Sequence, residues 1–98
     1  MKIDKASDIT QLTITLTGRL DTNTAPQLEA ELKASIGGMT DLIFDFAGLD
    51  YLSSAGLRVL LAAQKVMHRQ GKMIIKNVNE TIMEIFTITG FTDFLTIE

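Results

Sequence analysis

Two neighbouring stretches decide the fold. The first is Leu42-Ile43-Phe44-Asp45-Phe46, and the second is Leu49-Asp50-Tyr51-Leu52-Ser53-Ser54-Ala55-Gly56-Leu57-Arg58. The first, with Asp41 before it, has few polar breaks and predicts a strand over Asp41–Phe46, central and buried on both faces. The second leads into Leu57, Leu60, Leu61 and Met67, whose spacing predicts a helix from Ser53 or Ser54 to about Gln70. A buried strand that feeds a helix through a short polar junction is a unit of an α/β sheet. Ligand sites and functional loops of such sheets gather at the carboxyl ends of the strands. Asp45 is out of place in its strand. It is read either as the source of an internal hydrogen bond to the Leu49–Ser53 loop or as an outward charge.

Upstream, Leu12, Ile14 and Leu16 alternate with Thr13, Thr15 and Thr17, a strand over Gln11–Gly18 with one buried face. Met1–Lys5 can pair with it across a polar turn at Ala6–Thr10. Thr24-Ala25-Pro26-Gln27 then opens a helix, with Thr24 as N-cap, Gln27 at the capping-box position and Pro26 tolerated in the first turn. Ala25, Leu28, Leu32 and Ile36 form its apolar stripe, and Gly37 is expected to take the left-handed closing position. The Gly37-Gly38 pair reads as a turn. Downstream, Gly71 closes the Ser53–Gln70 helix and Lys72–Lys76 is a further strand. Glu80–Thr89 is a last helix with Ile82, Ile85 and Phe86 inward and Gly90 as its stop. Phe91, Phe94, Leu95 and Ile97 are expected to fold the tail back on the core. The whole predicts a single α/β domain over residues 1–98. It has a mixed β-sheet, an N-terminal antiparallel hairpin, then alternating helices and strands joined by right-handed crossovers.

Ninety-eight residues suffice for one domain. The 46% hydrophobic and 21% charged residues are ordinary globular usage and exclude disorder. The absence of cysteine excludes a disulfide framework, a thiolate metal site and a cysteine nucleophile. A net charge of −3 argues against nucleic acid, which requires a basic patch. The charged start at Met1–Lys5 is not a secretion signal, and the longest apolar-rich stretch, Leu57–Met67, is broken by Arg58, Gln64 and Lys65. It is also far below the ~20 residues a membrane span needs. A cytoplasmic protein without membrane insertion is expected.

Ser54 would stand at the start of a helix, where the first four amides lack intrahelical partners and an anion is stabilised. A serine there is equally suited to cap the helix and to accept a phosphoryl group; capping is the commoner use. A nucleophilic serine needs a base. The one imidazole, His68, is 14 residues on, or about 21 Å of helix rise from Ser54. Leu52 stands where a hydrolase elbow requires glycine. No Gly-Lys-Ser or Gly-Lys-Thr phosphate loop occurs, and no set of residues has metal-ligand spacing. No enzyme, cofactor or metal is expected.

Gly18-Arg19-Leu20-Asp21 with Thr24-Ala25, then Leu42–Phe46, then Leu52-Ser53-Ser54-Ala55-Gly56-Leu57, together resemble a STAS domain of the anti-sigma-factor-antagonist type. The resemblance spans nearly the whole chain. It implies a small cytoplasmic switch protein, a monomer when free. In its unphosphorylated form such a protein binds an anti-sigma factor that is also a serine kinase, and so releases a sigma factor. Phosphorylation ends the binding, and a metal-dependent Ser/Thr phosphatase resets it. Gly56-Leu57 matches the family's Gly-Leu and places Ser54 on the phosphoacceptor. Many members have Asp just before that serine; here Ser53 takes its place, so Ser53 is the second candidate hydroxyl. Asp21 matches an acidic residue at the end of an early strand, which implies partner contact or positioning near the serine; the alternative is a loop carboxylate that helps cap the following helix. The partner surface implied is Asp21, Ser53, Ser54, Ala55 and Gly56, with Arg58 and Ala62 from an exposed stripe that continues through Lys65 and Arg69. The other function the resemblance admits is a regulatory or scaffold subunit of a transport or sensory assembly, without reversible phosphorylation.

Overall fold

Alternation of Leu12, Ile14 and Leu16 with threonines becomes β2 (Gln11–Leu20), the second strand of a five-stranded sheet. In the computed structural model, which describes Met1–Glu98, β1 (Lys2–Ser7) pairs antiparallel with β2 across a turn at Asp8–Thr10. Helix α1 (Ala25–Ser35) leads to β3 (Asp41–Leu52), α2 (Ser54–Gln70) to β4 (Lys72–Lys76), and α3 (Glu80–Thr89) to a two-residue β5 (Thr96–Ile97). The strands lie in the order β1-β2-β3-β4-β5, and every pair after the hairpin is parallel. This is the mixed α/β sheet with an opening hairpin that the pattern predicts. The short β5 was not foreseen; two residues carry no periodicity.

The strands advance across the sheet in one direction, so crossovers of one hand put all three helices on one face. The register shows that face directly. Leu12, Leu42 and Met73 stand side by side across β2, β3 and β4, as do Ile14, Phe44 and Ile75, and all six are buried. They join Leu28 and Leu32 of α1, Leu60 and Met67 of α2, and Ile82 and Phe86 of α3 in one apolar cluster. Each such side chain contributes about 1.5–3 kcal/mol when fully buried. The opposite face carries Thr13, Ile43 and Ile74, then Thr15, Asp45 and Lys76, none of them buried. The expectation that Asp41–Phe46 is covered on both sides is therefore wrong. Its outward positions are half-exposed, because no helix crosses behind the sheet.

β3 is also twice the expected length. Thr15 pairs with Asp45 but Thr17 with Gly48, and Gly18 pairs with Leu49 but Arg19 with Tyr51. β3 thus carries one extra residue at Phe46–Ala47 and another at Asp50, two bulges that shift the inward phase by one residue each. The buried residues of β3 accordingly run Leu42, Phe44, Phe46, Leu49, Leu52. β4 leaves β3 after Asp45, so the rest of β3 continues with β2 alone as a two-stranded ribbon.

Smaller differences have local causes. Helix α1 ends at Ile36 in right-handed geometry, and the left-handed residue is Gly38 (φ 78°), not Gly37. Thr24 occupies the N-cap position of α1 but does not cap it. Its hydroxyl accepts from the Asp21 amide (2.9 Å) and donates to the Arg19 carbonyl (2.7 Å). Val59 is buried in α2 where Leu61 was expected to be. Phe94 is 60% exposed and packs edge-on against Phe91, so the tail returns to the core through Phe91, Leu95 and Ile97 without it.

A Cβ on Gly71 would overlap the Thr40 carbonyl, whose oxygen accepts the Lys72 amide. Gly71→Ala should therefore lower the denaturation midpoint by the equivalent of about 1–3 kcal/mol. Gly37→Ala, with open space around its Cβ, should leave it within about 0.5 kcal/mol. Equal midpoints for the two variants in urea titrations would contradict this packing.

Candidate functional site

The ribbon of β2 and β3 brings the sequence-predicted residues to one end of the sheet. Leu20 and Leu52 pair at its tip, and the Leu20 carbonyl accepts the Ser53 amide at 2.9 Å. The start of α2 is thereby tied to the strand that runs on into Asp21. The Asp21–Thr24 turn and the first turn of α2 then share a shallow groove lined by Thr22, Ala25, Pro26, Glu29, Ala55, Arg58 and Val59. A second groove, between α1 and α2, is lined by Glu29, Lys33, Ile36, Ala62 and Val66 among others. Ala55, Arg58 and Ala62 line these grooves, and Asp21, Ser53 and Ser54 stand in the turn and the helix start that border the first.

The two serines divide their work. Ser53 is the N-cap of α2, extended at φ −95° and ψ 173°, and its hydroxyl accepts from the Gly56 amide at 3.4 Å, a long capping bond. Ser54 is the first residue of the helix. Its side chain is exposed and makes no hydrogen bond. The Leu57 amide is taken by the Ser53 carbonyl (3.0 Å), while those of Ser54 and Ala55 have no protein acceptor. The helix start therefore presents one free hydroxyl and two free donors, with no acid in the first turn.

Gly56, expected in the contact surface, is buried, and packing decides its residue type. A Cβ there would come within 2.7 Å of Leu20 Cγ and of Leu52 Cδ1. The glycine lets α2 start directly on the paired tip of the ribbon. Asp21 acts as the turn residue that the alternative reading described. Its carboxylate accepts from the amides of Asn23 (2.9 Å) and Thr24 (3.1 Å), and its carbonyl from that of Ala25 (2.8 Å). Partial desolvation pushes its carboxyl upward. The Thr24 and Asn23 amides, the Thr24 hydroxyl and the Arg19 charge outweigh that and hold it below its ordinary value. Arg19 lies 3.7 Å from the Asp21 carboxylate, and its guanidinium stacks 4.2 Å above the centre of the Tyr51 ring.

Asp45 does not reach the Leu49–Ser53 segment. Its carboxylate accepts from the Ala47 amide and from the Asn77 side chain, both at 3.0 Å, and so closes the first bulge of β3. Those two bonds hold its carboxyl below the ordinary range, against desolvation and with help from Lys76. The contact to Leu49 comes from Asn79. Its side-chain nitrogen donates to the Leu49 carbonyl (2.9 Å), while its oxygen caps α3 at the Ile82 amide (2.9 Å). Sequence reasoning missed Asn77 and Asn79. The second had a readable signal: an asparagine immediately before a helix is a favoured N-cap. Asn77 (φ 59°) had none beyond asparagine's tolerance of left-handed backbone.

Three comparisons agree on what this arrangement is like. The family model described as STAS domain matches residues 1–98. The chain is 41% identical over 78 residues to a candidate anti-sigma factor antagonist of Bordetella bronchiseptica, BtrV, a stretch that is 78% of this chain and 67% of that protein. It is 26% identical over 98 residues to the anti-sigma-B factor antagonist of Bacillus subtilis, covering 99% of this chain and 90% of that protein. Among solved structures, the anti-sigma factor antagonist SpoIIAA in its unphosphorylated form is similar at a TM-score of 0.85 and 22% identity, covering 99% of this chain and 88% of that one. The phosphorylated form of SpoIIAA, described as a Bacillus cell fate determinant, scores 0.77 at the same identity, covering 99% and 91%. At that identity the likeness to SpoIIAA is one of fold.

Gly56→Val should destabilise the chain by more than Ser54→Ala, since it sets a branched side chain against Leu20 and Leu52 whereas the alanine removes only a solvated hydroxyl. Matching urea midpoints would mean that Gly56 has no packing role. The two lowered carboxyls fix the sign of a pH effect. A carboxylate whose folded value lies below its unfolded value of about 3.9 stabilises at neutral pH and loses that contribution as pH falls through the folded value. The melting temperature should thus decline below about pH 4. It should decline less steeply in Asp45→Asn, which has no charge there to lose; parallel curves would assign the acid sensitivity elsewhere.

Proposed function

This chain belongs to the STAS domain family, and we propose that within it the chain is an anti-sigma factor antagonist switched by phosphorylation of Ser54. The unphosphorylated form binds an anti-sigma factor that is also a serine kinase and so frees a sigma factor; phosphorylation releases the antagonist, and a metal-dependent Ser/Thr phosphatase resets it. One observation carries the choice of residue. Ser53 spends its hydroxyl on capping α2, whereas the hydroxyl of Ser54 is exposed and unbonded. In the transfer, the Ser54 Oγ bonds to the γ-phosphorus of ATP and the bond to the β-phosphate oxygen breaks. ADP leaves, and the hydroxyl proton goes to solvent or to a base of the kinase.

The physics of release is local. The phosphate brings about −1.5 to −2 charges at neutral pH. At the first turn of α2 that charge is favourable within the free domain, because the Ser54 and Ala55 amides and the helix dipole face it. It is unfavourable under a partner that covers it without supplying a cation. Each 1.4 kcal/mol so lost is tenfold in affinity. Neither α2 nor the sheet has to refold. The partner surface that fits is the exposed edge from the Asp21 turn through Ser54 and Ala55 to Arg58 and Ala62. The names of BtrV and the Bacillus subtilis relative, and a fold shared with a protein solved in both phosphorylation states, support the reading.

The kinase and ATP should add one phosphate to the wild-type chain and none to Ser54→Ala, as read by intact-mass spectrometry. Persistent modification of that variant would move the site to Ser53. Ser54→Asp and Arg58→Glu should each weaken kinase binding at least tenfold in calorimetric titration, with circular dichroism unchanged, and the Arg58→Glu loss should shrink at high salt. Wild-type affinity in both variants would put the contact surface elsewhere and favour a scaffold role without the switch.

A further inference from the structure

Helix α2 contains no aspartate or glutamate, yet carries Arg58, Lys65, His68 and Arg69. None of the chain's five ion pairs involves them. Arg58 is the one among them that stands a single helical turn beyond Ser54, at i and i+4, where side chains lie one above the other on the same face. Both residues are exposed. The order also suits an ion pair, since an anion N-terminal to a cation at this spacing is the better arrangement. The charges around the pair leave Arg58 free. Arg19 and Asp21, at the end of β2, are engaged with each other, and Glu29 of α1, which lines the same groove as Arg58, is within 3.5 Å of Lys33. Asp50 of β3 faces solvent with no cation partner.

From this placement we infer that Arg58 is the counter-ion of a phosphate on Ser54. In the unmodified chain its guanidinium lies open beside the groove between the Asp21 turn and α2. Once Ser54 carries a phosphate, the guanidinium turns back along the helix and binds the phosphate oxygens, a geometry its planar fork suits. The inference rests on Ser54 being the modified residue. It adds a second effect to the switch: phosphorylation introduces an anion at the edge and also withdraws a cation from it. A partner that meets Arg58 with an acidic surface then loses on both counts. Lys65 and Arg69 lie about three and four turns beyond Ser54, out of reach of the phosphate.

The test uses the full 98-residue chain with phosphoserine built in at position 54 during synthesis, so no kinase is involved. The phosphorus resonance is followed against pH. An isolated phosphoserine has its second ionisation near pH 6. With Arg58 present it should lie about half a unit lower, as expected for an exposed opposite charge. Arg58→Ala should return it toward 6, Arg58→Lys should fall between, and Arg69→Ala should match the parent. Superimposable curves for the parent and Arg58→Ala would overturn the inference, and so would an equal shift in Arg69→Ala, which would mean a diffuse field. An Arg58-dependent curve combined with no phosphorylation of Ser54 by the kinase would leave the ion pair standing and remove the proposed switch.

Discussion

Two extra residues in β3 are the constraint on which the site depends. A regular strand of this sheet would stop where β4 leaves it, at Asp45. The bulges at Phe46–Ala47 and Asp50 let β3 run on beside β2 while Phe46, Leu49 and Leu52 still turn into the core. Phe46 sits there between Phe44 and Phe86, with ring centres 5.8 and 6.4 Å away. Without the phase shifts, Leu49 would face away from the core and Leu52 would run past its register with Leu20. With them, the strand delivers Ser53 to the Leu20 carbonyl and starts α2 on a paired apolar tip. Polar side chains guard both irregularities. Asp45 closes the first, and Asn79 satisfies the Leu49 carbonyl at the second while capping α3. The helix farthest from the site in sequence is therefore fastened to the ribbon that builds it.

That rigidity suits the switch proposed above. The edge is made of a capped helix start, a turn held by the Asp21 carboxylate and a stacked Arg19–Tyr51 pair, none of which has to move for its charge to change. Helix α2 concentrates unpaired cations in a chain whose net charge is −3. A helix so charged would suit an acidic partner in the switch proposed above.

Membership of the STAS domain family accounts for the frame: an opening hairpin, three crossovers advancing one way, helices on a single face and a helix start at the carboxyl end of the third strand. The features of the proposed switch are local. Ser53 stands before Ser54 and takes over the cap, and Arg58 follows one turn later with no carboxylate beside it. Both lie within five residues of the exposed hydroxyl, where small differences in charge have the largest effect on what can bind.

The elements with unbroken periodicity were legible in the sequence. Leu12–Leu16 alternate, Leu57, Leu60 and Met67 keep helical spacing, and Gly71 and Gly90 stop the helices where close approach or left-handed backbone requires it. Those signals are local, so composition and spacing sufficed for the fold class and for a helix beginning at the two serines. The second half of β3 was not legible. Its inward residues fall three apart instead of two, and only pairing with β2 makes Leu49 and Leu52 strand residues. The missing cover behind Ile43 was hidden for a related reason: a run of Leu, Ile and Phe looks the same whether one face or two is packed. What Asn77 and Asn79 hold, and that Gly56 packs against Leu20, are set by groups brought together from distant parts of the chain. Sequence determines the elements through nearest-neighbour physics; the partners of a polar group thirty residues away exist only after the sheet has formed.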